Sequence, residues 1–281
     1  MLAVCMLAVG AASRAQQLIP LPFVKEEWKT DYEPFRIVGN LYYVGTYDLA
    51  VYLITTPRGH ILINTGLAGS AAMIRRHVEA LGFKYADIKI LLASHVHYDH
   101  VGDMAAIQKE TGATVMVNEK DAPVLADGAN SDYLYGGKGM LFAPVQAGRL
   151  LHEHDTVSLG GMHIVALHHP GHTPGATSFL LDVQDGKHTY RVLIANMPSV
   201  IVEGSLKDVP AYPGIIADYA YTFKDLKAQR FDIWLAAHAS QFNMHKKHKP
   251  GDAYNPTAFA GRSGFDESLS DLEKTYLEKK K

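Results

Sequence analysis

The chain of 281 residues is 47% hydrophobic and 20% charged, with a formal net charge of −2. This apolar fraction excludes an intrinsically disordered chain and is large enough for a core without disulfides. The charge balance excludes the global basic field with which proteins bind a phosphate backbone, so we expect no nucleic-acid partner.

The N-terminal residues 1–15 form an apolar run that ends in the small-x-small pattern Ser13-Arg14-Ala15. The run is too short to cross a bilayer as a helix, and its length and ending are typical of a cleaved signal peptide. A buried N-terminal helix is the alternative. We expect export to the periplasm, no membrane anchor and a mature chain of residues 16–281. Because Cys5 is the only cysteine, the mature chain would have to hold a metal with histidine and carboxylate.

The first half of the mature chain begins with an aromatic-rich arm, residues 28–35. Short apolar or alternating runs bounded by Gly, Asn and Pro then predict antiparallel strands at 41–44, 50–55 and 60–64. Helical spacing of apolar residues predicts a helix over 70–81, and the apolar run 88–93 predicts a strand buried on both faces. Further along, we expect a helix at 103–110, a strand at 113–117 and a short helix at 121–126.

The second half follows a glycine-rich stretch, 128–139, that is too long for a simple turn. Its predicted elements are strands at 156–159, 162–167, 177–183, 190–195 and 233–236 and helices at 215–227 and 267–280. Strands followed by alternating strands and helices, twice over, predict two packed sheets with helices outside. No linker separates the halves, so we expect a single domain over 16–281.

The sequence contains 15 histidines, and three of them cluster with a carboxylate directly after the strand 88–93. His95 and His97, two residues apart on an extended chain, point the same way and can share one metal ion. Asp99 and His100 lie on the turn beyond and can face a second ion. Imidazole and carboxylate without thiolate suit zinc, at about 2.0–2.2 Å. The segment therefore predicts a metal site at the carboxyl end of a strand.

Two ions need further ligands, and other strand ends provide them. One histidine lies in the rigid G-H-T-P-G segment 171–175, and another follows the strand 233–236. The predicted ligands are His95, His97 and His172 for the first ion and Asp99, His100 and His238 for the second. His168 and His169 are close enough to support these ligands, although a surface position fits them equally well.

The pattern H-x-H-x-D-H, followed by G-H-T-P-G and a lone histidine at a strand end, resembles the metallo-β-lactamase superfamily. Histidine rather than cysteine at position 238 is similar to the third subclass of class B. Segments 32–35, 42–50 and 193–199 resemble its GOB-type branch. The resemblance extends over nearly all of the mature chain. It implies an α/β fold, the αβ/βα four-layer sandwich of two mixed sheets with outer helices, and two zinc ions per chain.

The same resemblance implies zinc-dependent hydrolysis of the β-lactam ring in penicillins, cephalosporins and carbapenems by a metal-bound hydroxide, which confers antibiotic resistance. Asp99 is the expected catalytic residue, because it would both bind metal and orient the hydroxide. Other branches of the superfamily mostly use an additional aspartate at the position of Met197, where a thioether cannot replace it. A lactonase or other metallo-hydrolase, and a non-catalytic zinc-binding protein, are the alternative functions.

The chain departs from the family pattern at three positions. Asn64 stands where relatives usually have aspartate, and we expect weaker support of the metal loop there. The first motif residue is His95, where GOB-type enzymes have glutamine, and Met197 replaces a serine that helps to place the substrate carboxylate in many relatives. The expected substrate contacts are Ser199, Met197 and Tyr133. The aromatic side chains Trp28 and Phe35 either flank the same cleft or pack in the core.

Overall fold

The computed structural model describes residues 17–281, so the expected signal peptide at 1–15 lies outside the described residues. In this part of the chain the strands are β1 (Phe35–Val38), β2 (Leu41–Tyr43), β3 (Tyr52–Thr56), β4 (Gly59–Ile63), β5 (Ile88–Leu92), β6 (Thr114–Asn118), β7 (Arg149–Leu151), β8 (Thr156–Leu159), β9 (Met162–His168), β10 (Thr177–Asp185), β11 (His188–Ala195) and β12 (Ile233–Ala236). One sheet contains β1 to β7 in chain order, and the other has the order β12-β11-β10-β9-β8.

The α-helices are α1 (Ala71–Ala80), α2 (Tyr98–Val101), α3 (Met104–Thr111), α4 (Ala122–Ala126), α5 (Ile215–Ala228), α6 (Met244–Lys247) and α7 (Ser263–Lys279). Short 3-10 helices occupy Glu26–Trp28, Tyr85–Asp87, Leu206–Asp208, Ala239–Phe242 and Pro256–Phe259. None of the helices within 17–281 has both the length and the hydropathy needed to cross a bilayer.

The pairing in both sheets is mixed. In the first sheet β1 to β4 are antiparallel, whereas β4 to β7 run parallel. In the second sheet β11 and β12 are parallel and the other pairs are antiparallel. A parallel pair needs a crossover, and α1 and α3 provide two of them. The parallel strands consequently end at the same sheet edge.

The central strands of the first sheet bury both faces, because successive side chains of a strand point to opposite sides. Ile54, Ile61 and Leu92 lie fully buried between the two sheets, in one cluster with Phe179 and Val192 of the second sheet. This cluster is the main core, and it fixes how the sheets face each other.

On the opposite face of the first sheet, Leu53, Leu62 and Leu91 pack in a second cluster with Ile74 of α1 and Ile107 of α3. All five side chains are fully buried. The near-continuous apolar composition of β3 to β5 is therefore the consequence of contacts on both sides.

Helices α5 and α7 pack against the second sheet. The ring of Trp234 in β12 lies 5.3 Å from the ring of Phe265 in α7, and Tyr276 of α7 lies 5.4 Å from Phe223 of α5. Helices, two mixed sheets and helices thus form four layers. The predicted αβ/βα sandwich with outer helices is confirmed.

Most predicted elements are present with ends shifted by a few residues, but β1 and β7 are not predicted by the sequence patterns. Strand β1 begins at Phe35, inside the predicted aromatic arm. Strand β7 has three residues, of which Leu151 alone is buried. Strands this short contain too few residues to display an alternating pattern.

Candidate metal centre

The predicted ligands lie where strands end. The chain leaves β5 at Leu92, and His95 follows in the loop that leads into α2. His97 is the residue that precedes α2, and Asp99 and His100 lie within that helix. All of these four polar side chains are buried, with exposed fractions of 1% to 7%. A strand end followed by a one-turn helix thus places four polar groups inside the protein.

Two other loops complete the cluster. His172 follows β9, and its side chain is buried as well. One candidate ligand atom from each of His95, His97 and His172 lies within 4.8 Å of the others. The same separation holds among His95, Asp99 and His100. His95 therefore lies between the two predicted sets.

His238 follows β12 and approaches the cluster from the opposite side. Its Nε2 lies 3.5 Å from Oδ2 of Asp99, and its ring centroid lies 4.9 Å from that of His100. The structure therefore brings all six predicted side chains together. How they divide between two ions stays a prediction.

Buried ring nitrogens that have no hydrogen-bond partner are free to bind a cation, so the hydrogen bonding of these rings tests whether they could hold a metal ion. Within the described residues, Nε2 of His95, Nε2 of His97 and both ring nitrogens of His100 are buried without a hydrogen-bond partner. Asp132 Oδ2 is 3.6 Å from His97 Nε2, too far for a hydrogen bond. An unsatisfied buried polar group costs about 1–3 kcal/mol. Converging nitrogens and a carboxylate are the donor set that zinc prefers, so the residues fit two zinc ions.

The opposite nitrogens of three rings are held by the protein. His95 Nδ1 lies 2.8 Å from Asn196 Oδ1, His172 Nδ1 lies 2.8 Å from the carbonyl oxygen of Ser199, and His238 Nδ1 lies 3.1 Å from Asp48 Oδ2. In each pair the oxygen accepts the hydrogen bond from Nδ1, so Nε2 of the same ring is the nitrogen that faces the metal site.

Burial and neighbouring charges set the protonation states. Burial holds the pKa of His95 well below its usual range and lowers the pKa of His172 to about 3. Burial also lowers the pKa of His238, but hydrogen bonds to Asp48 and Asp99 outweigh it and raise the pKa to about 9. Burial raises the pKa of Asp99, whereas the neighbouring charges of His100 and His238 hold it well below its usual range. Without a bound metal, the site therefore combines neutral imidazoles at His95 and His172 with a protonated His238 and an ionised Asp99 carboxylate.

Asp121 joins the two principal ligand loops. Its Oδ2 accepts hydrogen bonds from the Val96 amide at 2.9 Å and from Thr173 Oγ1 at 2.7 Å. Its Oδ1 accepts a bond of 2.7 Å from the Gly175 amide. One buried carboxylate thus fixes the loop of His95 and His97 relative to the loop of His172.

Asn64 contacts the metal loop through its amide oxygen, and the expected weakening of support at this position stays a prediction. Asn64 Oδ1 accepts hydrogen bonds from the backbone amide and the hydroxyl of Ser94, at 2.9 and 3.1 Å. The backbone of Asn64 has a φ of 64°, in the left-handed region that asparagine tolerates. The neutral amide therefore replaces a carboxylate at a position that contacts the residue before His95.

The sequence patterns do not identify four supporting polar residues: Asp48, Asp121, Asp132 and Asn196. Asp48 lies in the segment 42–50 that resembles the GOB-type branch, and this is the one signal that could have found it. Contacts that tie such residues to the site join distant positions, for example Asp121 and Val96, 25 residues apart, and Asp48 and His238, 190 residues apart. Only the tertiary fold brings such pairs together.

A cavity of about 300 Å³ opens onto the cluster. Its lining residues are Phe23, Lys25, Trp28, Asp48, His97, Tyr98, Asp99, Tyr135, His172, Ser199, Ile201, His238, Ser240 and Gln241. The lining thus combines aromatic side chains with four of the six candidate ligands. The cavity volume lies at the lower end of the range for small-molecule sites, about 300–1,000 Å³.

The expected substrate contacts fall into two groups. Ser199 lines the cavity. Met197 is 2% exposed, packs in the core between the sheets and does not line the cavity, so the expectation of substrate contact is corrected. The expectation that Tyr133 contacts substrate is corrected as well. Its hydroxyl donates to the carbonyl oxygen of His172 at 3.0 Å, and its ring packs on Tyr212. Tyr135, two residues on, lines the cavity instead.

The aromatic arm divides in the same way. Trp28 lines the cavity, and its indole Nε1 donates a bond of 3.0 Å to Asp48. Phe35 is the first residue of β1 and lies buried, with its ring stacked 3.6 Å from that of His248. The sequence predicts that each of the two residues either flanks the cleft or packs in the core. Trp28 flanks the cleft, and Phe35 packs in the core.

Comparison with family models and curated proteins finds matches to part of the chain. The family described as the metallo-beta-lactamase superfamily matches residues 47–186. A probable metallo-hydrolase of Burkholderia pseudomallei is 29% identical over 122 residues, 43% of this chain and 40% of that protein. The acyl-coenzyme A thioesterase MBLAC2 of Gallus gallus is 26% identical over 152 residues, 49% of this chain and 50% of that protein. The chain spans about half the length of these curated relatives or less.

Solved structures match over nearly the whole chain. A beta-lactamase from Chitinophaga pinensis is 59% identical with a TM-score of 0.92, covering 94% of this chain and 99% of that one. The class B3 di-zinc metallo-beta-lactamase LRA-12 from an Alaskan soil metagenome is 55% identical (TM-score 0.92; 94% and 100% covered). The metallo-beta-lactamase GOB-18 from Elizabethkingia meningoseptica is 51% identical (TM-score 0.92; 94% and 98% covered). This chain therefore belongs to the metallo-β-lactamase superfamily, in its class B3, GOB-type branch.

Proposed function

We propose that this protein hydrolyses the β-lactam ring of bicyclic antibiotics with two zinc ions. The observation that carries the proposal is the convergence of six candidate metal ligands, four of which line one open cavity. Relatives with this fold at 51–59% identity are described as β-lactamases, one of them as di-zinc. Open cavities above incomplete ligand shells are typical of catalytic rather than structural zinc sites.

In this proposal His95, His97 and His172 hold one ion and Asp99, His100 and His238 hold the other. Zinc bound there would supply a Lewis acid that polarises the lactam carbonyl and lowers the pKa of water to about 7. Asp99 lines the cavity and is ionised, so its carboxylate can accept a hydrogen bond from the attacking water and orient it. Attack by water requires no nucleophilic side chain.

The cavity walls suit a substrate that carries a carboxylate and apolar substituents. Among the described residues that line the cavity, Lys25 alone carries a fixed positive charge, and Ser199 adds a hydroxyl. Phe23, Trp28 and Tyr135 present aromatic surface on the same cavity. We propose that Lys25 and Ser199 contact the carboxylate of the bicyclic ring system and that the aromatic wall contacts its side chains.

We also propose that residues 1–15 direct export to the periplasm and that the mature enzyme is one domain over 16–281. The apolar run and its small-x-small ending support this proposal. Mass spectrometry of the protein purified from a periplasmic extract tests it. A mature N-terminus at Gln16 supports cleavage after Ala15, and an uncleaved chain retained in the cytoplasm contradicts it.

The decisive experiment combines elemental analysis with nitrocefin turnover by the purified mature chain. We expect two zinc ions per chain, loss of turnover in EDTA, recovery with added zinc and no inactivation by clavulanate, which traps serine nucleophiles. His238→Ala should retain about one zinc because the second site loses a ligand. His152→Ala, which alters an exposed histidine away from the cavity, is the matched control and should retain both. Hydrolysis of an acyl-homoserine lactone but not of a carbapenem would contradict the proposal.

A further inference from the structure

A chain of hydrogen bonds runs from the protein surface to the candidate metal centre. It contains Asp225 of α5, His169 in the loop after β9, Ser178 of β10 and Asn196, the residue after β11. We call these four residues the relay. The steps are 2.9 Å from His169 Nε2 to Asp225 Oδ2, 2.7 Å from His169 Nδ1 to Ser178 Oγ and 2.8 Å from Ser178 Oγ to the Asn196 amide.

The donors and acceptors of the relay permit one consistent direction. The Asn196 N–H has only its proton to donate, so Ser178 Oγ accepts it. Among the described residues, the only other hydrogen-bond partner of Ser178 Oγ is Nδ1 of His169, so the hydroxyl donates to Nδ1, which is unprotonated there. The proton of a neutral His169 consequently lies on Nε2 and is donated to the Asp225 carboxylate. The carboxylate at the surface end therefore selects the tautomer on which the inner bonds depend.

Burial makes these bonds obligatory. His169 and Asn196 are each 1% exposed, and Ser178 is fully buried, so bulk water does not replace a lost partner. Asp225 is the accessible end, with 33% of its side chain exposed. Although aspartate, histidine and serine resemble a hydrolytic triad, the hydroxyl of Ser178 is inaccessible to substrate and already accepts the Asn196 amide. The arrangement is therefore suited to support rather than to nucleophilic attack.

The inner end of the relay contacts a candidate zinc ligand. Asn196 Oδ1 lies 2.8 Å from Nδ1 of His95 and accepts its proton. Nδ2 of Asn196 is buried without a partner among residues 17–281. The side chain of Asn196 is thus held by His95 at its oxygen and by its own backbone, which Ser178 fixes. Displacement of that backbone would move the acceptor away from His95.

We propose that Asp225, His169 and Ser178 are positioning residues, which hold Asn196 so that His95 keeps its proton on Nδ1 and presents Nε2 to zinc. The zinc ion of this inference rests on the proposed function. The relay makes a surface carboxylate on α5 a determinant of affinity at the first metal site. Loss of contacts that orient metal-ligating histidines typically weakens metal binding about 10–100-fold.

The test compares four variants of the full chain: Asp225→Ala, Asp225→Asn, Ser178→Ala and Thr222→Val. Thr222 is the matched control, because its buried hydroxyl bonds the Pro170 carbonyl at 2.7 Å across the same contact between α5 and the loop, outside the relay. Zinc affinity is measured by competition with a chromophoric chelator. The tautomer of His95 is read from imidazole ¹⁵N shifts of the zinc-free protein.

Asp225→Ala and Ser178→Ala should weaken binding of the first zinc by about tenfold and reduce the population of His95 protonated on Nδ1. Asp225→Asn retains an acceptor for His169 and should restore both properties. Thr222→Val should lower thermal stability without changing either. Wild-type affinity and tautomer in Asp225→Ala and Ser178→Ala would overturn the proposal, as would an equal loss of affinity in Thr222→Val. A wild-type chain that binds zinc but leaves β-lactams intact would contradict only the proposed function.

Discussion

His238 and Asp48, 190 positions apart in the chain, meet with Nδ1 of the imidazole 3.1 Å from Oδ2 of the carboxylate. The Asp48 carboxylate also accepts hydrogen bonds from the Trp28 indole at 3.0 Å and from the Ser240 amide at 2.9 Å. Burial raises the pKa of Asp48, but the bonds from His238 and Ser240 outweigh it and hold the pKa well below the usual range. An ionised carboxylate therefore fixes the ring of His238, with Nε2 turned toward Asp99.

Asp48→Ala should weaken binding of the second zinc by about 10–100-fold, because His238 loses the acceptor that orients it. The first zinc should bind as in the wild type, since Asp48 does not contact His95, His97 or His172. Competition titration of the zinc-free protein separates the two affinities. Asp208→Ala, which alters an aspartate of the short helix Leu206–Asp208 away from the site, is the control. Equal weakening of both zinc ions would contradict the assignment of His238 to the second site.

Asp121→Ala should destabilise the zinc-free protein by about 3 kcal/mol or more, because hydrogen bonds to a charged acceptor contribute about 1.5–3 kcal/mol each. Three donors, the amides of Val96 and Gly175 and the hydroxyl of Thr173, lose that acceptor together. Urea unfolding of the zinc-free chain measures the loss. Asp121→Asn keeps one carbonyl oxygen and should fall between wild type and Asp121→Ala. An unfolding midpoint for Asp121→Ala equal to that of the wild type would show that the two ligand loops are held by other contacts.

The predicted metal ligands share one property, which is that local sequence determines where they lie. His95, His172 and His238 each follow a strand whose apolar run is visible in the sequence. Strands β5 and β12 each run parallel to a neighbouring strand. Because parallel strands end at the same edge of a sheet, residues that follow these strands gather at that edge. Strand recognition and residue type therefore identify the candidates but do not by themselves select among them, since His169 also follows β9 and contacts Asp225 and Ser178 instead.

The supporting residues follow a different rule. Asp121 precedes a short helix, where aspartate is common for local reasons, and no local pattern relates it to Thr173, 52 positions later. The direction in which a side chain points beyond the end of a strand also cannot be predicted from the sequence pattern. Asn196 and Met197 are adjacent, yet Asn196 contacts His95 while Met197 packs in the core. A one-residue difference in register decides which of them reaches the site.

Gly102→Ala should disrupt α2, because the glycine after this helix lies against backbone on two sides. A Cβ atom there would lie 2.6 Å from the carbonyl oxygen of Tyr98 and from the carbonyl carbon of Leu67, and closer still to the backbone nitrogen of Ala68. Overpacking of this kind costs about 1–3 kcal/mol, and relief of the contact would displace the turn that carries Asp99. We expect a lower Tm and a reduced content of bound zinc. Gly204→Ala is the matched control, since its Cβ would meet no atom within 4 Å.

Lys25→Gln tests how the proposed enzyme places its substrate. The backbone carbonyl of Phe23 accepts a bond of 2.9 Å from the Tyr98 hydroxyl, and Lys25 Nζ lies 5.9 Å from the ring of Trp28. The N-terminal arm, which in the structure extends back to Phe23, thus holds the ammonium group at the cavity mouth. An exposed ion pair contributes about 0.2–1 kcal/mol, which corresponds to a rise in KM of up to about fivefold at unchanged kcat.

The rise in KM should shrink as salt is added, because exposed charges are screened. It should be absent for a β-lactam whose carboxylate is esterified, since no anion then faces the ammonium group. Lys29→Gln is the control, because this exposed lysine lies on the same arm outside the cavity lining. If Lys25→Gln raised KM equally for the acid and the ester, its effect would come from the shape of the arm and not from the charge, and the carboxylate contact would have to be assigned to Ser199 alone.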